Sequence, residues 1–320
     1  MRRLLSLLFV VSLASSALAQ QPQAKAKAEP PLPDNVVAER DIEYAKAGDV
    51  SLKLDIYRPK TESSKPRPCV VWIHGGGWQG GNKSGGGRLV APLVTTGDYV
   101  GASVGYRLTD VATWPAQIYD CKAAIRYLRA NATKLGIDPN KIGVWGGSAG
   151  GHLVALLGTS GDVKELEGNL GTTGVSSRVN CVIDFFGPSD FLMFGVESPR
   201  LNEPGQPIYK LFGGPLKDHQ AEAKKASPVT FISKDDPPFL IMHGTKDPLV
   251  NINQSERLYD LQKQAGCNTL LVKVVDGGHG FASPEISARV KSFFDKNLLG
   301  KDVVVSEESI QAPPAPAKAN

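Results

Sequence analysis

The sequence predicts an α/β protein: one domain built on a mostly parallel, eight-stranded sheet with helices on both faces. Two observations support this fold class. Short apolar runs alternate with longer amphipathic segments along the chain, which is the order of strands and helices in a parallel sheet. Several runs, such as 69–74 (CVVWIH), are apolar at nearly every position, as strands buried on both faces are.

Each element is predicted from its own pattern. The strands 36–44 and 51–57 alternate apolar and polar residues, which suits an antiparallel pair at the edge of the sheet. Gly136 and Pro139 end the long amphipathic helix that begins near Trp114. The other strands are predicted at 69–74, 99–106, 142–145, 179–186, 239–243 and 270–275, and the helices at 88–96, 114–135, directly after Ser148, 252–265 and 284–298.

Both ends of the chain differ in composition from the domain between them. Residues 1–19 have the pattern of a secretory signal, with Arg2 and Arg3 before an apolar core and a small-x-small site at the end. We therefore expect export to the periplasm or the medium, with an uncleaved anchor as the alternative. Residues 20–35 and 301–320 are rich in Pro and Ala and are predicted to be a disordered leader and tail. About 265 residues, 36–300, remain for the folded domain.

Composition limits the partners and cofactors. The formal net charge is +4, or +2 without the two N-terminal arginines, and no basic stripe is present, so nucleic acid is not predicted as a partner. No membrane contact is expected after removal of the signal, and the oligomeric state stays open. An exported chain with four cysteines could hold two disulfides, but three of them lie in apolar strand or helix patterns, so mostly free thiols are predicted. Their spacing does not fit a metal site, and no metal or cofactor is predicted. The four are Cys69, Cys121, Cys181 and Cys267.

The segment 141–158 (KIGVWGGSAGGHLVALLG) predicts a strand, a tight turn and a helix, with Ser148 at the turn. A serine hydroxyl is a weak nucleophile, so it must be exposed, held rigidly and placed beside a base. Gly146 and Gly150 flank the turn, where there is no room for side chains. The alternative is a serine that only caps a helix, and the rest of the chain decides between the two.

A glycine-rich loop follows the strand 69–74, in the sequence HGGGW (74–78). Acyl transfer needs backbone amides that approach a developing oxyanion without a side chain in the way. The amides of Gly76, Gly77 and Ala149 are the predicted donors. A merely flexible loop is one alternative. A phosphate-binding loop is another, but the Lys-Ser/Thr ending of that motif is missing here.

A nucleophilic serine needs a base and the base needs an orienting group. Asp247 follows the strand 239–243, and His279 follows the strand 270–275 in a glycine-rich loop. The chain order Ser148, Asp247, His279 is the order that this architecture uses. Other carboxylates near strand ends are Asp190, Asp235 and Asp236.

The remaining histidines have structural interpretations. His74 is predicted to brace the glycine loop. His152 lies one turn into the helix after the serine and is predicted to pack or hydrogen-bond locally. His243 ends a strand and is interpreted as structural, and His219 lies in a polar stretch and is predicted to be solvated. This leaves His279 as the predicted base.

Together these motifs resemble the α/β-hydrolases, in the group that includes hormone-sensitive-lipase-like carboxylesterases and bacterial carbohydrate esterases. The resemblance implies a serine esterase with an acyl-enzyme mechanism, a Ser-His-Asp triad and a three-amide oxyanion hole. It covers the chain from about residue 50 to 298. The motifs are HGGGW (74–78), YRL (106–108), GGSAGGH (146–152), HGTKDPLV (243–250) and GGHGF (277–281).

One departure from that group concerns the substrate. The lipases usually continue Tyr-Arg-Leu with Ala-Pro-Glu, whereas Thr109-Asp110-Val111 stands here, and few residues precede Val50 to form their N-terminal cap. This favours the compact branch that is similar to acetyl-xylan and feruloyl esterases. The expected substrate is therefore a small or polysaccharide-linked ester. A general short-chain carboxylesterase or lipase and a non-catalytic α/β-hydrolase that binds a partner are the alternatives.

Three aromatic residues near strand ends, Trp78, Tyr106 and Trp114, are candidates for substrate contacts, with core packing as the alternative. The long Gly/Pro-rich segment 187–215 is a candidate lid over the site.

Overall fold

The computed structural model describes residues 31–313, in which nine strands form one sheet. The strand order is β1-β2-β4-β3-β5-β6-β7-β8-β9; β2 pairs antiparallel with β1 and β4, and all other neighbours are parallel. The strands are β1 (Val36–Ala47), β2 (Val50–Pro59), β3 (Arg67–Ile73), β4 (Val100–Val104), β5 (Ile137–Gly147), β6 (Cys181–Phe185), β7 (Phe239–Gly244), β8 (Thr269–Val275) and β9 (Ile310–Gln311).

The helices cover both faces of the sheet. Helices α2, α4, α5, α6, α7 and α8 contribute to one apolar core, and α1 and α9 contribute to the other. The predicted helix 114–135 is divided at Asn131 into α2 and α3. The helices are α1 (Gly86–Val94), α2 (Ala116–Ala130), α3 (Ala132–Leu135), α4 (Ala149–Thr159), α5 (Phe191–Glu197), α6 (Pro207–Phe212), α7 (Gln220–Ala226), α8 (Asn253–Gln264) and α9 (Pro284–Leu299).

Strand β3 shows why the central strands are apolar at every position. Cys69, Val71 and Ile73 face one core, while Val70 and Trp72 face the other. Parallel pairing then brings the carboxyl ends of β3, β5, β6, β7 and β8 to the same edge of the sheet. Loops that follow these strands are neighbours although they are far apart in sequence.

The tail predicted to be disordered is folded as far as residue 313, so this prediction is wrong for residues 301–313. Ile310 pairs with Val274 of β8 and is 1% exposed, and Val305 is also buried. Arg289 of α9 donates to the carbonyl oxygen of Ser306. The apolar residues of this stretch cover the edge of β8, an interaction that composition alone does not indicate.

At the N-terminal end, the predicted leader also differs from the structure, over fewer residues. Asn35, predicted to belong to the disordered leader, donates through Nδ2 to the carbonyl oxygen of Thr95 at 3.0 Å. The signal segment, the leader up to residue 30, and residues 314–320 lie outside the described residues. Within 31–313, no helix has the length and apolar character needed to cross a bilayer. The four cysteines are buried and unpaired.

Replacing Ile310 by Ala should lower the free energy of unfolding by about 2–4 kcal/mol, because a buried aliphatic side chain leaves a cavity when it is truncated. Val304 of the same segment is 89% exposed, so Val304→Ala should change stability by less than about 0.5 kcal/mol. Urea denaturation of the three proteins measures both values. Equal stability of Ile310→Ala and the parent would mean that the contacts of Ile310 in β9 do not stabilise the edge of the sheet.

Candidate active site

The turn between β5 and α4 holds Ser148 in a conformation that L-residues rarely adopt, with φ 57° and ψ −123°. Its amide donates to the carbonyl oxygen of Phe185 in the neighbouring strand at 2.8 Å. The flanking residues must be glycine, because a Cβ at Gly146 would lie 2.4 Å from the Gly150 carbonyl oxygen. A Cβ at Gly150 would lie 2.1 Å from the carbonyl oxygen of Ile73. The strain at the serine is therefore held by tight packing on both sides.

The three predicted catalytic side chains meet in one hydrogen-bonded chain. His279 Nε2 lies 2.9 Å from Ser148 Oγ, and His279 Nδ1 lies 2.8 Å from Asp247 Oδ2. The serine follows β5, the aspartate follows β7 and the histidine follows β8, so the shared sheet edge brings them together. This geometry fits a nucleophile, a base and an orienting carboxylate.

Asp247 is held rigidly and in its ionised form. Its Oδ1 accepts hydrogen bonds from the amides of Leu249 and Val250 at 2.8 and 3.0 Å. Burial would raise the pKa of Asp247, but hydrogen bonds from His243 and His279 and from these amides outweigh it and hold the pKa well below its usual range. The carboxylate is therefore negative at neutral pH, as the orienting group of a triad must be.

The predicted oxyanion donors stand beside the serine. Gly76 and Gly77 have φ values of 113° and 58°, and both line the same cavity as Ser148. The Gly76 carbonyl oxygen accepts from the amides of Gln79 and Gly80, which folds the loop into a tight turn. Among residues 31–313, the amides of Gly76, Gly77 and Ala149 have no hydrogen-bond acceptor. Three donors are thus available to a ligand at the serine.

A cavity of about 520 Å³ opens at Ser148. Its wall is mostly apolar, and the segment 187–215 supplies part of it through Pro188, Phe194, Leu201 and Pro207. The rest of the lining consists of Trp72, Gly75, Gly76, Gly77, Trp78, Gln79, Gly147, Phe186, Leu249, Val250 and His279.

Comparison with known proteins agrees with this geometry. The model of the BD-FAE family matches residues 54–261. The chain belongs to the BD-FAE family. Its fold is the α/β-hydrolase fold, as the sequence motifs predicted.

Relatives of this BD-FAE protein include esterases. Esterase LipQ of Mycobacterium tuberculosis is 30% identical over 257 residues, which is 79% of this chain and 58% of LipQ. Esterase LipC of the same organism is 29% identical over 73% of this chain and 58% of its own length. The chain therefore spans less than two thirds of these curated relatives.

Solved structures match over a larger share of their own length. A truncated form of a carbohydrate esterase from gut microbiota is 33% identical with a TM-score of 0.76, over 85% of this chain and 100% of that one. Esterase 2 of Thermogutta terrifontis with bound propionate is 29% identical with a TM-score of 0.66, over 82% and 94% of the two chains.

Two of the three predicted substrate contacts, Tyr106 and Trp114, lie outside the cavity at Ser148. The Tyr106 ring stacks on His74 at 4.3 Å and its hydroxyl donates to the His74 carbonyl oxygen at 3.0 Å. Trp114 packs in the core near His152. Neither residue lines the cavity. Tyr106 packs against the oxyanion loop at His74 and Trp114 packs against His152, long-range contacts that position near a strand end does not reveal.

Trp78, the third candidate, lines the cavity but is only 2% exposed. Its Nε1 donates to His152 Nδ1 at 3.1 Å, and His152 Nε2 lies 2.7 Å from the carbonyl oxygen of Ala226. Burial lowers the pKa of His152 to about 4, so the ring is neutral and links the oxyanion loop to α7. The local hydrogen-bonding role predicted for His152 agrees with these contacts. Sequence reasoning missed Phe186 and Leu249, which line the cavity directly after β6 and just beyond Asp247.

Asp184 in β6 lies behind the serine turn. It is fully buried, and its Oδ1 accepts from the amide of Gly187 at 2.9 Å. Its Oδ2 has no hydrogen-bond partner within the described part of the chain. Burial raises the pKa of Asp184 to about 6, although the Gly187 amide and His243 act in the opposite direction. The pKa of an aspartate in the unfolded chain is about 4, so ionisation of Asp184 destabilises the folded state. This loss of stability is absent below about pH 4, grows between about pH 4 and 6, and is complete above about pH 6.

Asp184→Asn keeps the acceptor for Gly187 and removes the buried charge. We expect it to raise the free energy of unfolding at pH 8 by about 1–3 kcal/mol, with a much smaller gain at pH 4. Denaturant titrations of both proteins at the two pH values test this. A gain of equal size at pH 4 and pH 8 would contradict the assignment of the effect to ionisation.

Proposed function

We propose that this protein is a serine esterase that hydrolyses carboxylic esters by two-step acyl transfer. The observation that supports it most directly is the hydrogen-bonded chain from Ser148 Oγ through His279 to Asp247, at 2.9 and 2.8 Å, next to the amides of the predicted oxyanion hole. Its family and the esterases among its relatives support the same chemistry.

The mechanism follows from the contacts. His279 Nε2 accepts the proton of Ser148 as the hydroxyl attacks the ester carbonyl. The amides of Gly76, Gly77 and Ala149 stabilise the negative oxygen of the tetrahedral intermediate. His279 then protonates the leaving alcohol, and water repeats the sequence on the acyl-enzyme. Asp247 keeps the proton on Nδ1 and stabilises the imidazolium.

Ser148→Ala should lower kcat by more than about 10⁴-fold on p-nitrophenyl acetate, because no other group in the cavity can form the acyl-enzyme. Ser287→Ala, on the exposed side of α9, is the control and should keep full activity. A fluorophosphonate probe should label the parent and not Ser148→Ala. An unlabelled, inactive parent would favour the non-catalytic binding protein.

For the substrate, we propose an ester of a carbohydrate, met outside the cytoplasm after export. Two observations support this reading. The truncated form of a carbohydrate esterase aligns over the whole of its solved chain with 85% of this chain. The apolar cavity of about 520 Å³ is much larger than an acetyl group needs, which favours an aromatic, feruloyl-type acyl group over acetyl.

A general carboxylesterase is the second candidate, and one observation favours it. Apart from the triad, the polar lining side chains are Gln79 and the indoles of Trp72 and Trp78, and Gln79 Oε1 already accepts from Lys210 Nζ at 2.9 Å. Such a wall offers few groups to hydrogen-bond a sugar. Release of ferulate from methyl ferulate and of acetate from acetylated xylan, measured beside p-nitrophenyl esters, separates the two candidates.

Leu201→Trp should fill part of the cavity and lower kcat/KM for methyl ferulate or p-nitrophenyl octanoate by about tenfold or more, with little change for p-nitrophenyl acetate. Val196 belongs to the same segment, is 81% exposed and does not line the cavity. Val196→Trp is therefore the matched control. Equal losses on short and long acyl groups would show that the acyl group does not bind at Leu201.

A further inference from the structure

The triad carboxylate is approached by a second histidine. Asp247 Oδ2 lies 2.8 Å from His279 Nδ1 and 3.3 Å from His243 Nε2. The side chains of His243 and Asp247 are both fully buried. Because both groups are buried, a donor on Nε2 that faces Oδ2 at this distance interacts strongly with the carboxylate.

The neighbours of His243 fix which nitrogen carries the proton. Nε2 lies 2.9 Å from the carbonyl oxygen of Val250, and a carbonyl can only accept, so Nε2 carries the hydrogen. Nδ1 lies 2.7 Å from Ser255 Oγ, whose hydroxyl can donate to it. The Nε2–H group is therefore directed between Val250 and Asp247 Oδ2.

We propose that His243 is a positioning residue of the esterase: its Nε2–H holds Asp247 Oδ2 in line with His279, and Ser255 keeps His243 in the required tautomer. This proposal rests on the proposed function. It assigns to His243 a part in the reaction, whereas the sequence pattern indicates only a structural role. A second donor on Oδ2 fixes the direction of the carboxylate and also limits its basicity, because the two donors share one oxygen.

The charged and titratable groups around His243 come from three elements. Asp247 follows the strand that ends in His243, Asp184 comes from β6, and His279 follows β8. The electrostatic interaction with His243 lowers the pKa of Asp184. The ring of Phe186 lies 6.3 Å from that of His243. A change in pH profile must therefore be separated from the titration of Asp184, for which Asp184→Asn is the control.

Two variants of His243 distinguish the effect of the hydrogen-bond donor at Nε2 from the effect of the side chain's size. Gln can place its Nε2 near the position of the imidazole Nε2, whereas Asn reaches only as far as Nδ1. We expect His243→Asn to lower kcat on p-nitrophenyl acetate by about tenfold with KM unchanged, and His243→Gln to restore most of the loss. Asp247 loses a donor in the Asn variant and becomes a stronger acceptor. The acid limb of kcat/KM, which reports His279, should therefore move to higher pH.

An NMR measurement that does not require catalysis tests the role of His243 separately from the proposed esterase activity. The proton on His279 Nδ1 gives a low-field NMR signal that His279→Ala removes. In His243→Asn this signal should move further downfield, and in His243→Gln it should stay near the parent position. A parent that hydrolyses no ester would overturn the proposed function, whereas an unmoved signal in His243→Asn would overturn the role of His243 alone.

If His243→Asn does not fold, Ser255→Ala replaces it. This variant keeps the imidazole but removes the hydroxyl that favours the Nε2–H tautomer. The acid limb of kcat/KM and the NMR signal should therefore move in the same directions as in His243→Asn, by smaller amounts. A purely structural role predicts a lower melting temperature with both readouts unchanged, also in the Asp184→Asn background. That result would overturn the proposal.

Discussion

The site depends on the close backbone contact between the serine turn and the oxyanion loop. The turn rests on the end of β3, where Gly150 lies so near the Ile73 carbonyl that a Cβ there would be 2.1 Å from its oxygen. Gly75 is as close to the turn, since its Cβ would lie 2.6 Å from the Gly147 carbonyl oxygen. The nucleophile and the oxyanion donors are therefore fixed relative to each other by main-chain packing, which costs no reorganisation during the reaction.

The residues that could be predicted from sequence are those with local causes. Glycines at 146 and 150 are required by contacts within one turn, and apolar runs such as β3 follow from burial on both faces. Once the strands were placed, the shared sheet edge put Asp247 and His279 beside Ser148. This is why the triad residues and the loop glycines lie where the sequence predicted them.

The predictions that differ from the observed contacts concern packing between distant segments. Tyr106 supports His74 rather than a substrate, and the stretch 301–313 closes the sheet through Ile310. Tyr106 is aromatic as expected, but residues 301–313 contain only one Ala and one Pro and carry an apolar run at 303–305, so the composition of the tail was misread there. What the side chain contacts was set by elements more than thirty residues away, and a single sequence contains no signal for that distance.

Two buried carboxyl groups behind the site, Asp247 and Asp184, differ in the number of hydrogen-bond donors that surround them. Asp247 is surrounded by donors and stays ionised, whereas Asp184 has one donor and an unpartnered oxygen in the same apolar surroundings. His243 lies between them, hydrogen-bonded to the first and electrostatically coupled to the second. The Nε2–H group of His243 faces Asp247, so it does not donate to the unpartnered oxygen of Asp184. The stability lost at Asp184 is thus a consequence of arranging the available donors around the carboxylate that the reaction needs.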